Sequence, residues 1–455
     1  MGEKEKANQA RPTPLIENHS KQNPFSTFSL HVSDVAFKLA KAALLGNNTW
    51  PEVEKVRIEE FVNAFDYGDP APSLAEKVAC RVEQAAHPFR QQRNVLRVAM
   101  RTADVGRASG TPLQLTLLLD TSGSMERADR QESILRAMQV LTTQLTPQDT
   151  VTLIGFARQP RLIQDRLTGE ALTNLPQLVK QTPSEGGTNL EEALLLGAEH
   201  ARRQFVAGGQ NRIVLLTDGA ANLGDASPES LHELVVGLRQ EGIAFDACGV
   251  GAEGLNDTVL EALTRQGDGR YYFLDKPEDA DAGFARQLAG AFRPAARNVK
   301  VQVRFNERRV GNYRLFGYEK HRLKKEDFRN DKVDAAELAA AEAGVALYEI
   351  EPLAQGDGEI GEVSVRFQDM TTGQMVERTW TIPYQPGLPS LDQASPTLQL
   401  ASTAAFLGEK LKRTAFGEMI NLEELSQVLT NLRQCYGSSQ RVAELIQMIE
   451  KVKEL

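Results

Sequence analysis

A chain of 455 residues, 41% hydrophobic and 25% charged, has enough apolar material for two to four packed domains. Its formal net charge of −9 supplies no phosphate footprint and argues against a nucleic-acid binder. No run approaches the roughly 18 apolar residues of a membrane span, and Met1–Lys21 lacks the apolar centre of a signal peptide, so the chain as written reads as soluble.

Residues 1–23 are polar and read as a disordered linker; Lys6 stands where N-myristoylation needs Ser or Thr. Phe25–Val32 reads as a strand. Val35–Leu45 reads as an amphipathic helix stopped by Gly46 and Asn47, and a second helix runs from Pro51 through Val56, Phe61 and Phe65. Strands Val78–Gln84 and Asn94–Thr102 complete an N-terminal module over 24–105. From Leu113 the pattern changes. Leu113–Asp120, Val151–Phe156, Arg212–Asp218, Ile243–Gly249 and Arg270–Leu274 are near-continuous apolar runs, separated by helical stretches such as Ser133–Leu145, Leu190–Gln204 and Pro228–Glu241. Strands buried on both faces and alternating with helices predict a doubly wound α/β domain over 110–294.

After Pro294 the strands become antiparallel in character: Val299–Phe305, Val345–Glu351, Glu362–Phe367 and Val376–Ile382, the last two joined by a hairpin turn at Asp369–Gly373. Pro383–Pro396 reads as a linker, and a helical segment fills 392–455. Its stripe Val442, Leu445, Ile446, Ile449 and Val452 is expected to be core. Neither strand set closes a core alone, so the α/β domain is expected to be an insertion. Strands 78–102 and the module 298–385 would then form one antiparallel β-sandwich. Cys80, Cys248 and Cys435 are far apart and form no C-x-x-C pair, so no zinc site or disulfide framework is visible, although a single disulfide stays open.

The chemistry is concentrated at strand ends. Leu119-Asp120-Thr121-Ser122-Gly123-Ser124 follows the first buried strand, Gly186-Gly187-Thr188-Asn189 opens a helix, and Thr217-Asp218-Gly219 repeats the strand-then-acid arrangement. Open α/β sheets bind ligands at the carboxyl ends of their strands, where such loops converge. Two carboxylates and three hydroxyls, from Asp120, Asp218, Ser122, Ser124 and Thr188, suit a small hard cation. Mg²⁺ is expected, with Mn²⁺ or Ca²⁺ as alternatives. With two acids the ion keeps net positive charge and attracts an outside carboxylate.

These motifs resemble the metal-ion-dependent adhesion site of von Willebrand factor A domains. The resemblance implies that Ser122, Ser124 and Thr188 touch the metal through hydroxyls, while Asp120 and Asp218 act through water or as switchable ligands. A wider resemblance, to YfbK-type bacterial proteins, begins near Asn23. It is carried by Asn23–Leu30, Val56–Asn63, His87-Pro88-Phe89, Asn256-Asp257, Gly267–Tyr271, Tyr313–Glu319 and Ala346–Ile350. His31-Val32-Ser33 departs from it, since such relatives carry acids after the first strand, and no role for acids there transfers. Relatives of this type are often anchored to the cell envelope upstream of such a linker, which implies an envelope or periplasmic location if an anchor has been removed.

Other motifs weigh less. Gly249-Val250-Gly251-Ala252-Glu253-Gly254, with Asp275 downstream, matches a dinucleotide fingerprint but lies on a late strand and reads as a packing turn. His232-Glu233 starts an H-E-x-x-H that ends in Val236, and no P-loop is present. Arg322-Leu323-Lys324-Lys325 is interrupted by Glu326 and Asp327 and reads as a solvated loop.

The expected function is therefore non-enzymatic: a metal-dependent protein-binding module whose partner offers an Asp or Glu carboxylate to the ion. A second reading is an accessory subunit of an ATPase or metal-handling assembly in the bacterial envelope. A third, metal-assisted hydrolysis, lacks a candidate base beside the motif.

Overall fold

Apolar runs with no polar face must be covered on both sides, and the inserted domain shows how. Its six strands lie in the order Tyr271–Leu274, Ile243–Val250, Gln210–Thr217, Leu113–Asp120, Thr150–Phe156 and Pro160–Leu167. All neighbours are parallel except the last pair. Every residue of Leu113–Asp120 is buried. Leu115, Leu117 and Leu119 meet Ile134 and Met138 of helix Ala128–Gln144, while Leu118 on the opposite face meets Ala193 and Leu194 of helix Leu190–Arg203. The computed structural model describes residues 16–104, 111–219, 228–280, 282–292, 294–333 and 335–455.

The flanking segments build two antiparallel sheets. One has the order Asn18–His19, Val310–Leu315, Ala343–Pro352, Asn94–Thr102 and Val78–Ala86. The other runs Arg322–Leu323, Phe25–Ser29, Pro294–Phe305, Gly361–Asp369 and Met375–Ile382, with Ala336–Ala339 also paired to Pro294–Phe305. Leu96, Val98 and Tyr348 of the first sheet pack with Val301, Val303 and Phe305 of the second. Each sheet thus contains strands from both sides of the insertion, with Arg101 opposite Ala343 in register. The two ends of the inserted domain meet at one place: Ala341 N donates to Ala103 O at 3.1 Å, and Pro294 lies opposite Ala339.

The first sheet is covered twice. Val95, Ala99, Val345 and Leu347 on its outer face pack against Phe61, Leu398 and Phe406, so the N-terminal helices and the C-terminal helices form one layer over it. The stripe Val442, Leu445, Ile446, Ile449 and Val452 is buried in that layer, as its periodicity predicts. Among the described residues no helix is long and apolar enough to cross a membrane. All three cysteines are free.

Several boundaries differ from expectation. The end of the expected linker is ordered: Asn18–His19 pairs with Val310–Leu315, and Glu17 binds Arg90 and Arg93. Residues 1–15 lie outside the described residues. The first long strand stops at Ser29, because its ladder with Pro294–Phe305 ends there. The helix read from Pro51 shrinks to a turn at Val53–Lys55 and a helix at Ile58–Val62, since Val56 and Arg57 are extended. The segment 383–396 is packed: Ala86 N donates to Pro389 O, and Leu391 is buried. The strand Pro160–Leu167 has a mixed burial pattern typical of a sheet edge, which hides it from an apolar-run reading.

Candidate metal centre

Asp120 ends the central strand of the inserted sheet and Asp218 directly follows the neighbouring strand Gln210–Thr217, so register brings the two acids together. The chain turns sharply after Asp120. Ser122 N donates to Asp120 Oδ1 at 2.9 Å, and the Ser122 and Ser124 hydroxyls lie 3.1 Å apart. Thr217 Oγ1 donates to Asp120 Oδ2 at 2.6 Å. Thr188 is half-buried, on a loop tied to this turn by Glu185 N donating to Thr121 O at 2.8 Å and by Asn189 N donating to Ala157 O at 2.7 Å. Asn189 then caps helix Leu190–Arg203 by accepting from Glu192 N. Gly219 has φ +69°, and a side chain there would drive a carbon to 2.6 Å from Asn256 N, so the turn after Asp218 requires glycine.

Two participants were not singled out by sequence reasoning. Thr217 stands in the sequence as part of the Thr-Asp-Gly pattern, and its role as the hydroxyl that holds Asp120 emerges only from the fold. Arg130, on the first turn of helix Ala128–Gln144, is buried; it donates to Asp218 Oδ2, to Ser124 O at 3.1 Å and to Glu253 O at 2.9 Å. Its sequence signal, an arginine six residues beyond Ser124, is too common to stand out. The glycine fingerprint belongs to this neighbourhood as packing. Gly251 N donates to Leu274 O at 2.8 Å, and a Cβ at Gly251 would lie 3.0 Å from Arg130 Nε.

Asp120 is 2% exposed and accepts from neutral donors. Burial raises its carboxyl above the ordinary range; the bonds from Thr217 and Ser122 oppose that rise, and nearby Asp218 adds to it. Among the described residues no three His, Cys, Asp or Glu side chains are placed to hold a metal, so a cation at this turn depends on hydroxyl oxygens as well. The donor set, oxygen throughout, fits a hard cation such as Mg²⁺ and not a soft one. Arg130 is the discordant member, since it already engages one oxygen of Asp218.

The chain matches three family models: "von Willebrand factor type A domain" at residues 115–220, "Uncharacterized protein YfbK, C-terminal" at 290–455, and "von Willebrand factor" at 4–97. It is 31% identical over 336 residues to the uncharacterized protein YfbK of Escherichia coli, covering 72% of this chain and 58% of that protein. It is 25% identical over 292 residues to inter-alpha-trypsin inhibitor heavy chain H3 of Mesocricetus auratus, covering 59% of this chain and 31% of that protein. The chain therefore spans less than two thirds of the length of either relative. A solved von Willebrand factor type A structure from Catenulispora acidiphila is 15% identical, covers 81% of this chain and 89% of its own, and aligns with a TM-score of 0.48. The inserted sheet with its Asp120 turn is a von Willebrand factor A domain, and the segments on both sides of it are similar to those of the YfbK-type proteins.

Proposed function

We propose that the chain is a non-enzymatic binding module that captures a protein partner through a metal ion at the Asp120 turn. The observation that carries this reading is the placement of Asp120, Ser122, Ser124 and Asp218 at the carboxyl ends of two adjacent parallel strands, with Asp120 buried among neutral donors. A buried carboxylate without a cationic neighbour is costly, and a divalent cation offsets that cost. The hydroxyls of Ser122, Ser124 and Thr188 would hold the ion directly, and the carboxylates of Asp120 and Asp218 through water or by direct contact. Mg²⁺ fits the oxygen set best; Mn²⁺ and Ca²⁺ are alternatives. The ion would supply a positive centre for a partner's Asp or Glu side chain.

The test is calorimetric titration of Mg²⁺ into the intact chain and into Asp120→Ala, followed by partner capture with and without chelator. Saturable Mg²⁺ binding lost in the variant, with chelator-sensitive capture, is the expected result. Equal Mg²⁺ binding by both proteins, or capture indifferent to chelator, would sink the metal-bridge reading.

A further inference from the structure

The amino end of the inserted sheet meets the sandwich around a cavity of about 240 Å³. That is many times the roughly 10–15 Å³ that one water needs. Its wall comes from both domains: Arg265 and Arg270 from the inserted domain, and His31, Lys320, His321 and Arg322 from the flanking strands and their turns. With Arg239, five cations line it against two carboxylates, Asp268 and Glu337. Behind the wall Asp246 pairs with Arg212, and Glu337 with Arg212 and Arg297, while Glu261 takes Arg265 and Lys320 and Glu342 takes Arg270; the lining itself carries more positive than negative charge. A local positive excess runs against the net charge of −9 of the whole chain.

The donors are also incompletely used. Arg270 is 7% exposed; its two terminal nitrogens bind Glu342 and Glu337 O, but its Nε has no hydrogen-bond partner. A buried donor left without a partner is costly unless a ligand satisfies it. Arg265 binds Glu261 through Nε, and Arg322 is exposed with no ion pair among the described residues. The rings of His31 and His321 stack at 4.7 Å. Burial holds both in the neutral form, His31 at about 4, so each presents one N–H donor at neutral pH. The wall also depends on a close approach. A side chain at Gly269 would collide with Phe245 O, so glycine is needed to bring Arg270 into place.

We propose that this cavity binds a phosphate group and that the bound anion joins the inserted domain to the sandwich. A tetrahedral dianion matches several convergent arginine donors better than a single carboxylate does, because guanidinium forks pair with it in two-point fashion. Its source is either inorganic phosphate or a small phosphate monoester.

The experiment is calorimetry and thermal unfolding of the full chain with inorganic phosphate or glycerol 3-phosphate, at constant ionic strength and in chelator. The comparison protein is the double variant Arg265→Gln/Arg322→Gln. Saturable binding with a raised Tm is expected, weakened at least tenfold in the double variant. Binding of the ester in preference to the free ion, or the reverse, identifies the source, and either supports the proposal. If the double variant melts early, Arg322→Gln alone, at an exposed position, is expected to show a smaller loss in the same direction. No saturable binding beyond that seen with chloride, equal binding by every variant, or binding that requires Mg²⁺ would each overturn it.

Discussion

At the amino end of the inserted sheet, Arg212 faces Asp246 through two bonds of 2.7 Å, and Arg270 N adds a third to the same carboxylate. At the carboxyl end, Asp120 is as deeply buried but is held by a backbone N–H and a hydroxyl, while Arg130 is spent on Asp218. The difference separates two uses of buried charge. A carboxylate matched by a guanidinium in fixed geometry is a clamp, and its charge is already answered. One surrounded by neutral donors keeps its field available to a cation that arrives later. Arg130 lowers the negative charge of that end, so the ion would meet less than the full charge of two acids.

This contrast can be broken by substitution, and the largest effect is expected at the clamp. Arg212→Ala leaves Asp246 buried without its guanidinium and should destabilise the chain by about 3–5 kcal/mol, read from urea unfolding. A loss under about 1 kcal/mol would mean the pair is no clamp. Next comes the open end. Mg²⁺ at about 100 times its Kd should stabilise the wild type by about 2.7 kcal/mol and leave Asp120→Asn unmoved. In chelator the two proteins should unfold within about 1 kcal/mol of each other, because Asn retains the acceptor for Ser122 N.

A third prediction concerns buried histidine away from both ends. Burial, helped by Arg314, Arg90 and Arg93, pushes His87 down to about 3. The unfolded chain therefore binds the proton first, and stability falls as pH drops from about 6.5 toward 3. Each such histidine contributes a slope of up to about 1.4 kcal/mol per pH unit. Glu59, pushed up to about 7 by burial and by Glu319, acts with the opposite sign from pH 7 down to its ordinary range. The effect of His87 is thus read as a difference: Tm should fall less steeply between pH 6.5 and 4.5 in His87→Gln than in the wild type. Parallel curves would contradict it. The smallest effect belongs to the surface. Arg202 and Glu241 make a two-point pair with both side chains nearly half exposed, and Arg202→Ala should cost under about 1 kcal/mol by thermal unfolding.

The parts of this molecule that sequence made legible are those with one dominant constraint. Leu113–Asp120 and Ile243–Val250 are buried on both faces, so their apolar runs admit few alternatives. Asp120, Ser122 and Ser124 are local in sequence, and their turn is readable for that reason. Arg130 was not, because its role depends on Asp218 and Glu253, brought near by the sheet. The short strands Asn18–His19 and Ala336–Ala339 carry no pattern of their own and exist because a long neighbour offers an edge. The cavity at the amino end was invisible for the same reason. Arg322 looked like part of a solvated loop, and only the meeting of two domains gives it a wall to belong to.

The junction at Ala103 and Pro294 has a consequence for synthesis. Strand Asn94–Thr102 leaves the ribosome about 240 residues ahead of its partner Ala343–Pro352. At roughly 5–20 residues per second that is a wait of about 10–50 s. The inserted sheet, whose strand pairings are all internal to 113–274, can form in that interval. Its completed ends then stand side by side and hold the waiting strand at the point where its partner will arrive, which replaces a long loop closure by a short one.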